Sequence, residues 1–134
     1  MLPPVREMLL VGTGGFLGAN ARYILTAWFA VRVEKWLGWT NLPYGTLFVN
    51  VTGSFLLAIV GVMIAREGRW SETTRLLIGT GFFGAYTTFS TYANESVGLI
   101  RQGDWTNGIG NMILTNGLCV VGVLLGLWIA EHLW

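Results

Sequence analysis

The sequence predicts an all-α membrane protein with four transmembrane helices, the third of them broken. Of its 134 residues, 53% are hydrophobic and only 11% are charged, far from the composition of soluble globular domains. Four apolar segments are each long enough to cross a bilayer as a helix. The third carries a run of glycine and hydroxyl residues that an uninterrupted helix accommodates poorly. A chain of this length is expected to form one domain, residues 1–134.

The boundaries of the predicted spans follow from where charged and turn-forming residues interrupt the apolar sequence. We place the spans at residues 8–31, 44–65, 74–100 and 105–130. The first connection spans residues 32–43, and within it residues 32–39 form either a short amphipathic helix on the membrane surface or a plain loop. Residues 66–73 form the second connection, and a tight turn at residues 101–104 joins the last two spans.

The first and fourth spans carry glycines at a spacing that brings transmembrane helices close together. Gly14 and Gly18 share one face of the first span, and Gly122 and Gly126 share one face of the fourth. We expect both pairs to pack against neighbouring helices. The glycines of residues 79–84 also fit a dinucleotide-binding pattern, but that site needs a preceding strand and a helix outside the membrane, so it is excluded.

The second span carries a polar track at membrane depth. Asn50 lies in the middle of this span, one helical turn from both Thr46 and Ser54, so the three side chains share a face. Polar groups in this position either hydrogen-bond a neighbouring helix or line a passage for a polar solute. The residues alone leave both interpretations open for Asn50.

The third span predicts a helix break. Residues 79–84 contain three glycines, and residues 87–91 contain four hydroxyl side chains. Backbone freed from a helix at membrane depth is tolerated only where protein buries it or where it lines a wet cavity, so a break here predicts an ion or substrate site. The alternative is a simple kink in which Thr87 and Thr88 hydrogen-bond back to the preceding helix turn.

Aromatic and polar side chains follow the predicted break. Phe89 and Tyr92 share a helix face, where their ring edges could meet an anion or simply fill the core. In the fourth span Asn111 and Thr115 are one turn apart, and Asn116 lies on the adjacent face. These groups either bond to another helix or continue a polar track.

Two charged residues lie furthest inside the apolar segments. Intramembrane ionisable residues are functional candidates by default. Arg22 is expected at a wet vestibule, where its positive charge would attract anions. Glu95 either hydrogen-bonds to the hydroxyl groups around it or reaches outward near the end of the third span.

The charges of the connections predict insertion in both orientations. With four spans, Arg6, Arg66 and Arg69 lie on one side of the membrane, against Arg32, Lys35 and Arg101 on the other. Lysine and arginine asymmetry sets orientation, so a balanced chain should insert both ways and could pair as an antiparallel homodimer. The formal net charge of +1 does not indicate the strongly basic surface that nucleic-acid binding requires.

Three stretches of the chain match the helix signatures of a known family. They are Gly-Phe-Phe-Gly-Ala-Tyr-Thr-Thr-Phe-Ser-Thr-Tyr at residues 81–92 with Glu95 after it, Gly-Thr-Leu-Phe-Val-Asn-Val-Thr-Gly-Ser-Phe at residues 45–55, and Gly-Ala-Asn-Ala-Arg-Tyr at residues 18–23. They resemble the third, second and first helices of the small bacterial fluoride channels, the Fluc family. The resemblance covers essentially the whole chain.

The resemblance implies a function and an assembly. A chain of this kind is expected to be a fluoride-selective ion channel, not an enzyme, that exports cytoplasmic fluoride passively through the bacterial inner membrane and so lowers its toxicity. It is also expected to form an antiparallel, dual-topology homodimer in the lipid bilayer. A structural sodium ion (Na+) would lie at the dimer interface.

The same resemblance assigns roles to individual residues. The expected residues of the fluoride pore are Asn50, Phe89, Ser90, Tyr92, Asn111 and Thr115. Arg22 would lie at the vestibule and Glu95 would be an accessory residue. The backbone carbonyls of Gly84 and Thr87 in each subunit would hold the sodium ion.

The chain departs from the family pattern at two positions. Tyr92 replaces the commoner phenylalanine, and Asn111 replaces a tyrosine.

Two other classes of protein share the size of this chain. Small dual-topology multidrug exporters also dimerise with four helices per chain, but they carry an essential carboxylate in the first helix, where this span has Arg22 and no acid. A structural subunit of a larger complex would not require polar tracks.

Overall fold

The computed structural model describes residues 3–37, 41–67 and 71–133, and within them the chain forms helices joined by short non-helical stretches. The elements in order are α1 (Val5–Leu37), α2 (Tyr44–Glu67), α3 (Glu72–Thr74), a π-helix (Arg75–Phe83), α4 (Gly84–Tyr86), α5 (Phe89–Arg101) and α6 (Trp105–Leu133). Arg69, which contributes to the charge count above, lies outside the described residues.

Four helical segments correspond to the four predicted spans, and two of them qualify as membrane spans by length and composition alone. Within the described residues these are Tyr44–Arg66 and Trp105–His132. Helix α1 is longer than either, with 33 residues, but Asn20 and Arg22 make its middle more polar. The third segment is divided, and α5 has only 13 residues, fewer than the roughly 20 that a single helix needs to cross a bilayer.

The first connection is shorter than predicted, because α1 continues to Leu37 instead of ending near Val31. Neither of the two predicted forms, a separate surface helix or a loop, is present over residues 32–37. The sequence between Val31 and Leu37 contains no glycine or proline that would end the helix. The Arg32 guanidinium carbon also lies 5.0 Å from the centre of the Trp28 ring, one turn earlier, which stabilises the added turns.

The third segment is broken at Thr87 and Thr88, as the run of hydroxyl residues predicts. Both residues have extended backbone, with φ and ψ of −85° and 159° at Thr87 and −151° and 113° at Thr88. The glycines contribute less to the break than the sequence suggests. Gly79 and Gly81 lie within the π-helix and Gly84 opens α4, so the chain remains helical through all three.

Close helix packing explains the paired glycines of α1 and α6. Helix α1 packs on the π-helix, and α6 packs on both α2 and α5. A Cβ atom added to Gly14 or Gly18 would collide with backbone carbonyl oxygens of the π-helix, and one added to Gly126 would lie 2.5 Å from the carbonyl oxygen of Phe55 in α2. The predicted packing role of these glycines is confirmed.

The polarity of the fold is inverted relative to a soluble protein. Fully or nearly buried polar side chains include Thr46, Asn50, Thr88, Ser96, Asn111 and Thr115. Large apolar side chains are exposed on every long helix, among them Phe16, Leu56, Val97 and Leu124. An apolar exterior of this extent requires an apolar surrounding such as a lipid bilayer.

A cluster of hydrogen bonds joins the first connection to the α5–α6 turn. The Asp104 carboxylate accepts hydrogen bonds from the backbone and side-chain N–H groups of Asn107, at 3.2 and 2.8 Å, and from the Asn41 side chain at 2.7 Å. The hydrogen bonds from Asn107 and Asn41 lower the pKa of Asp104. Asp104 therefore caps α6 and holds the two connections together on one side of the helix bundle.

Two alanine substitutions on α1 test the close approach of α1 and the π-helix. At Gly18 the new methyl group would collide with the Phe82 carbonyl, whereas at Gly12 nothing lies within 4 Å. We expect Gly18→Ala to destabilise the protein by roughly 1–3 kcal/mol, seen as a lower unfolding temperature in detergent. Gly12→Ala should leave that temperature unchanged or slightly higher, because alanine favours helix. Equal unfolding temperatures for the two variants would contradict this packing.

Candidate functional site

The candidate site is built around the break in the third segment, where Asn50 of α2 meets the extended backbone. The Thr88 N–H donates to the Asn50 Oδ1 at 2.8 Å, and the Asn50 Nδ2 donates to the Thr88 carbonyl at 3.1 Å. One amide side chain thus satisfies both backbone groups of Thr88 in a buried position. The second N–H of the Asn50 amide takes part in neither of these bonds.

The two threonines of the break use their hydroxyl groups differently. The Thr87 hydroxyl donates to the Phe83 carbonyl at 3.1 Å, so this residue bonds back to the preceding turn as the kink alternative predicts. The Thr88 hydroxyl instead accepts from the Thr91 N–H at 3.2 Å and caps the start of α5. The chain therefore ends one helix and begins another within two residues.

A cavity of about 260 Å³ lies at this break and contains four of the six predicted pore residues. Its walls come from α2, the break, α5 and α6. The lining residues are Asn50, Ser54, Leu57, Thr87, Thr88, Phe89, Tyr92, Thr115, Asn116 and Cys119. None of these side chains is acidic or basic, so the polar part of the wall consists of amide, hydroxyl and thiol groups.

The aromatic pair Phe89 and Tyr92 forms one wall of this cavity. The two ring centres lie 5.5 Å apart with the ring planes at 61°, an edge-to-face arrangement. Tyr92 is buried, but Phe89 is 76% exposed although it lies at the middle of the third segment. Ser90 is also exposed, and its Oγ lies 3.3 Å from the Thr88 hydroxyl outside the cavity wall.

Asn111 lies behind the cavity wall in a buried network between α5 and α6. Its Nδ2 donates to the Ser96 hydroxyl at 2.8 Å, and its Oδ1 accepts from the Thr115 hydroxyl at 3.1 Å. Ser96 in turn donates to the Tyr92 carbonyl at 2.8 Å. Of the two polar residues predicted in the fourth span, Thr115 lines the cavity. Asn111 instead connects α5 to α6 and accepts the hydrogen bond of Thr115.

A second cavity, of about 370 Å³, lies on the other side of Thr88 and brings Arg22 and Glu95 together. It is lined by α1, α2 and α5, and Thr88 also lines the first cavity. The Glu95 Oε1 accepts from the Thr46 hydroxyl at 2.9 Å, and its Oε2 is buried without a hydrogen-bond partner among the described residues. The two ionisable side chains inside the membrane, Arg22 and Glu95, therefore line the same cavity. Polar side chains extend from this second cavity past the break to the first cavity.

The two carbonyls expected to hold a cation differ in their surroundings. The Thr88 N–H donates to Asn50, so it does not donate to the Gly84 carbonyl four residues earlier. The Thr87 carbonyl accepts a hydrogen bond from the Arg22 guanidinium at 3.3 Å. The Gly84 oxygen thus lacks its usual helical donor, whereas the Thr87 oxygen offers only its remaining lone pair, close to a positive charge. Within the described residues no three His, Cys, Asp or Glu side chains gather as an alternative metal site.

Asn116 lies closer to the candidate site than its place in the sequence indicates. This residue lines the first cavity, and its amide bonds to the Tyr92 hydroxyl at 2.7 Å. On the sequence, Asn116 differs from Asn111 only in the helix face that it occupies. The rotation of α6 about its axis, which decides which face meets α5, depends on the contacts of Gly122 and Gly126 with α2.

Comparison with known proteins places the chain in a family. Residues 9–127 match the family described as CrcB-like protein, Camphor Resistance (CrcB). The chain belongs to this family. A relative from Koribacter versatilis (strain Ellin345), named fluoride-specific ion channel FluC, is 45% identical over 120 residues, covering 90% of this chain and 91% of the relative.

Other relatives carry the same name at lower identity. The FluC protein of Sorangium cellulosum (strain So ce56) is 39% identical over 123 residues, covering 92% of this chain and 93% of the relative. That of Shewanella baltica (strain OS185) is 39% identical over 122 residues, covering 91% and 94%. The similarity therefore extends over nearly the full length of both partners in each comparison.

The bonds between Asn50 and the break can be tested by stability. Asn50→Leu would leave the N–H and C=O of Thr88 without partners, and each buried unsatisfied group costs roughly 1–3 kcal/mol. We expect a marked fall in the unfolding temperature in detergent. Asn20→Leu is the matched control, because the exposed Asn20 bonds to the Phe16 carbonyl of its own helix and, among the described residues, to no other helix. A similar loss of stability in both variants would argue against a special role for Asn50.

Proposed function

We propose that this chain is a fluoride-specific ion channel. Its relatives of 39–45% identity over about nine tenths of the chain bear that name. The structural observation that supports the proposal further is the helix break, with a cavity on each side that is partly lined by polar side chains and that Thr88 borders in both cases. A break at membrane depth with polar walls is the usual form of an ion site in membrane proteins.

The groups around the break suit a small, strongly hydrated anion. Fluoride must exchange its water for hydrogen-bond donors, and the second N–H of the Asn50 amide, which does not bond to Thr88, can supply a polar hydrogen to the first cavity. The beginning of α5 adds the positive end of a helix dipole. The Phe89 ring can offer its positive edge. In this proposal Ser90 donates from the neighbouring face, and Asn111 holds Thr115 at the cavity wall by accepting its hydroxyl proton.

Arg22 and Glu95 would govern access from the second cavity. The guanidinium group of Arg22 raises the local concentration of anions there, and its bond to the Thr87 carbonyl keeps it beside the break. Glu95 is the accessory residue of the proposal. Its hydrogen bond from Thr46 holds the carboxyl group at the wall, where it shapes the entrance to the polar path.

Such a channel needs neither catalysis nor ATP. Weakly acidic surroundings load a bacterial cell with fluoride as neutral HF, which dissociates in the cytoplasm. The inside-negative potential of the inner membrane then favours exit of the anion by about 2.3 kcal/mol per 100 mV. Passive flow through the channel would therefore lower the toxic cytoplasmic concentration of fluoride.

We further propose that two copies pair as an antiparallel homodimer. The exposed side of the break in one chain carries Phe89, Ser90, Thr91 and Asn94, which include three polar side chains in the middle of a membrane helix. Lipid cannot satisfy these groups, whereas a second copy of the chain can cover them. The balanced arginine and lysine count of the connections supports opposite orientations of the two copies.

A structural sodium ion at the dimer interface is part of the same proposal. Its ligands would be the backbone carbonyls of Gly84 and Thr87 from both copies, and carbonyl oxygen suits a hard cation. The released Gly84 carbonyl fits this role better than the Thr87 carbonyl, which already bonds to Arg22. When bound, the ion would supply a fixed positive charge near the path of the anion.

Fluoride efflux from liposomes tests the function. Vesicles holding the purified protein should release fluoride, and not chloride, when potassium is allowed to leave through an ionophore. Asn50→Ala and Phe89→Ile should reduce the rate by roughly tenfold or more, since one lost contact to an anion costs about 1.5–3 kcal/mol. Phe16→Ile is the control, because Phe16 is similarly exposed, at 70%, and does not line the cavities.

Two results of this assay would count against the proposal in different ways. Absence of fluoride efflux from vesicles that contain folded wild-type protein would overturn the function itself. Undiminished efflux through folded Asn50→Ala and Phe89→Ile would keep the function but move the pore away from these two residues.

Selective labelling tests the antiparallel arrangement. Cys119 is the single cysteine of the chain, so a Cys119→Ser background can carry a new cysteine at the exposed Gln102 in the α5–α6 turn. In intact cells we expect a membrane-impermeant maleimide to label about half of the Gln102→Cys population, and the rest only after the membrane is permeabilised. Complete labelling, or none, before permeabilisation would rule out dual topology.

A further inference from the structure

The Asn116 amide determines which way the hydroxyl of Tyr92 can donate. The Asn116 Nδ2 lies 2.7 Å from the Met112 carbonyl oxygen and 2.7 Å from the Tyr92 hydroxyl oxygen. A carbonyl oxygen only accepts, so the atom facing Met112 must be the amide nitrogen and not the amide oxygen. The two N–H groups of this nitrogen are then both used, and the Tyr92 oxygen is the acceptor in its bond with Asn116.

The phenolic proton of Tyr92 is therefore directed elsewhere. Tyr92 is only 6% exposed, and its side chain lines the first cavity together with Asn50 and Thr115. No described residue accepts a hydrogen bond from the Tyr92 hydroxyl. A buried hydroxyl normally finds an acceptor, so this proton is available to a ligand inside the cavity.

The chemistry of the wall indicates an anion as that ligand. No acidic side chain lines this cavity, so its side chains offer no negative charge to a cation. The bond from Asn116 to the Tyr92 oxygen also polarises the O–H group and makes it a stronger donor. An anion that accepts hydrogen bonds at short distance, as fluoride does, is the partner that uses this donor best.

We propose that the Tyr92 hydroxyl donates a hydrogen bond directly to the permeating fluoride ion, and that Asn116 is the positioning residue that aims it. This inference rests on the proposed channel function and adds to it a contact of different chemistry. The anion meets an O–H donor at Tyr92 instead of a ring edge. Phe89 remains the ring-edge contact on the other side of the aromatic pair.

Concentration-dependent efflux from liposomes tests the contact and the role of Asn116. Tyr92→Phe should raise the fluoride concentration for half-maximal efflux roughly tenfold, because a hydrogen bond to an ion is lost. Asn116→Leu should raise it by a smaller factor, because the hydroxyl remains but is no longer held. In the Tyr92→Phe background, Asn116→Leu should have no further effect, which separates positioning from a general structural role.

A binding measurement that does not depend on transport completes the test. The chain has four tyrosines, so the NMR signal of Tyr92 in protein labelled with 13C at the tyrosine Cζ can be assigned by its loss in Tyr92→Phe. We expect this signal to shift as fluoride is added to the reconstituted protein, and not as chloride is added. Asn116→Leu should weaken the fluoride-dependent shift.

The outcomes separate this inference from the proposed function. Two results would overturn the contact between Tyr92 and fluoride while the wild-type protein still conducts fluoride. One is a Tyr92 NMR signal that does not shift when fluoride is added, and the other is an unchanged fluoride concentration for half-maximal efflux in Tyr92→Phe. Equal effects of Asn116→Leu in both backgrounds would overturn the positioning role alone. A fluoride-dependent shift of the Tyr92 signal without any efflux would support the contact and overturn the channel.

Discussion

The pairing of Asn50 with the backbone of Thr88 is the interaction on which the rest of the site depends. A helix cannot be interrupted inside a membrane unless its freed N–H and C=O groups find partners. Asn50 supplies one acceptor and one donor to the same residue, at 2.8 and 3.1 Å. Because of this pairing, α5 can begin at membrane depth, the Gly84 carbonyl is released, and Phe89 lies beside the cavity instead of inside a continuous helix.

The pairing of Asn50 with Thr88 lies in a fold whose polarity is inverted, with polar groups inside and apolar groups outside. The hydroxyl and amide groups of Thr46, Asn50, Ser96 and Thr115 lie inside, and apolar side chains cover the outside. Within that interior these four side chains have defined partners, such as Glu95 for Thr46 and Asn111 for Thr115. The interior is therefore a set of fixed dipoles, whose orientations are determined before any ion arrives.

Much of this architecture could be predicted from the sequence because it depends on local composition and spacing. The four segments follow from apolar length, the break from the hydroxyl run at residues 87–91, and the packing faces from the spacing of Gly14 and Gly18. What could not be predicted depends on tertiary contacts. The π-helix keeps Gly79 and Gly81 helical while it packs against α1, and the rotation of α6 decides which polar residue of that helix reaches the cavity.

Helix α5 is held at both of its ends by asparagine side chains from other parts of the chain. Asn50 fixes the residue before its first turn, and Asn41 bonds to Asp104 just beyond its last turn. Its 13 residues, about 20 Å at 1.5 Å each, form a strut of set length that carries Tyr92 and Glu95. A carrier that works by alternating access must rock such an element between two positions. A helix fixed at both ends resists that movement, as a channel without an alternating-access cycle requires.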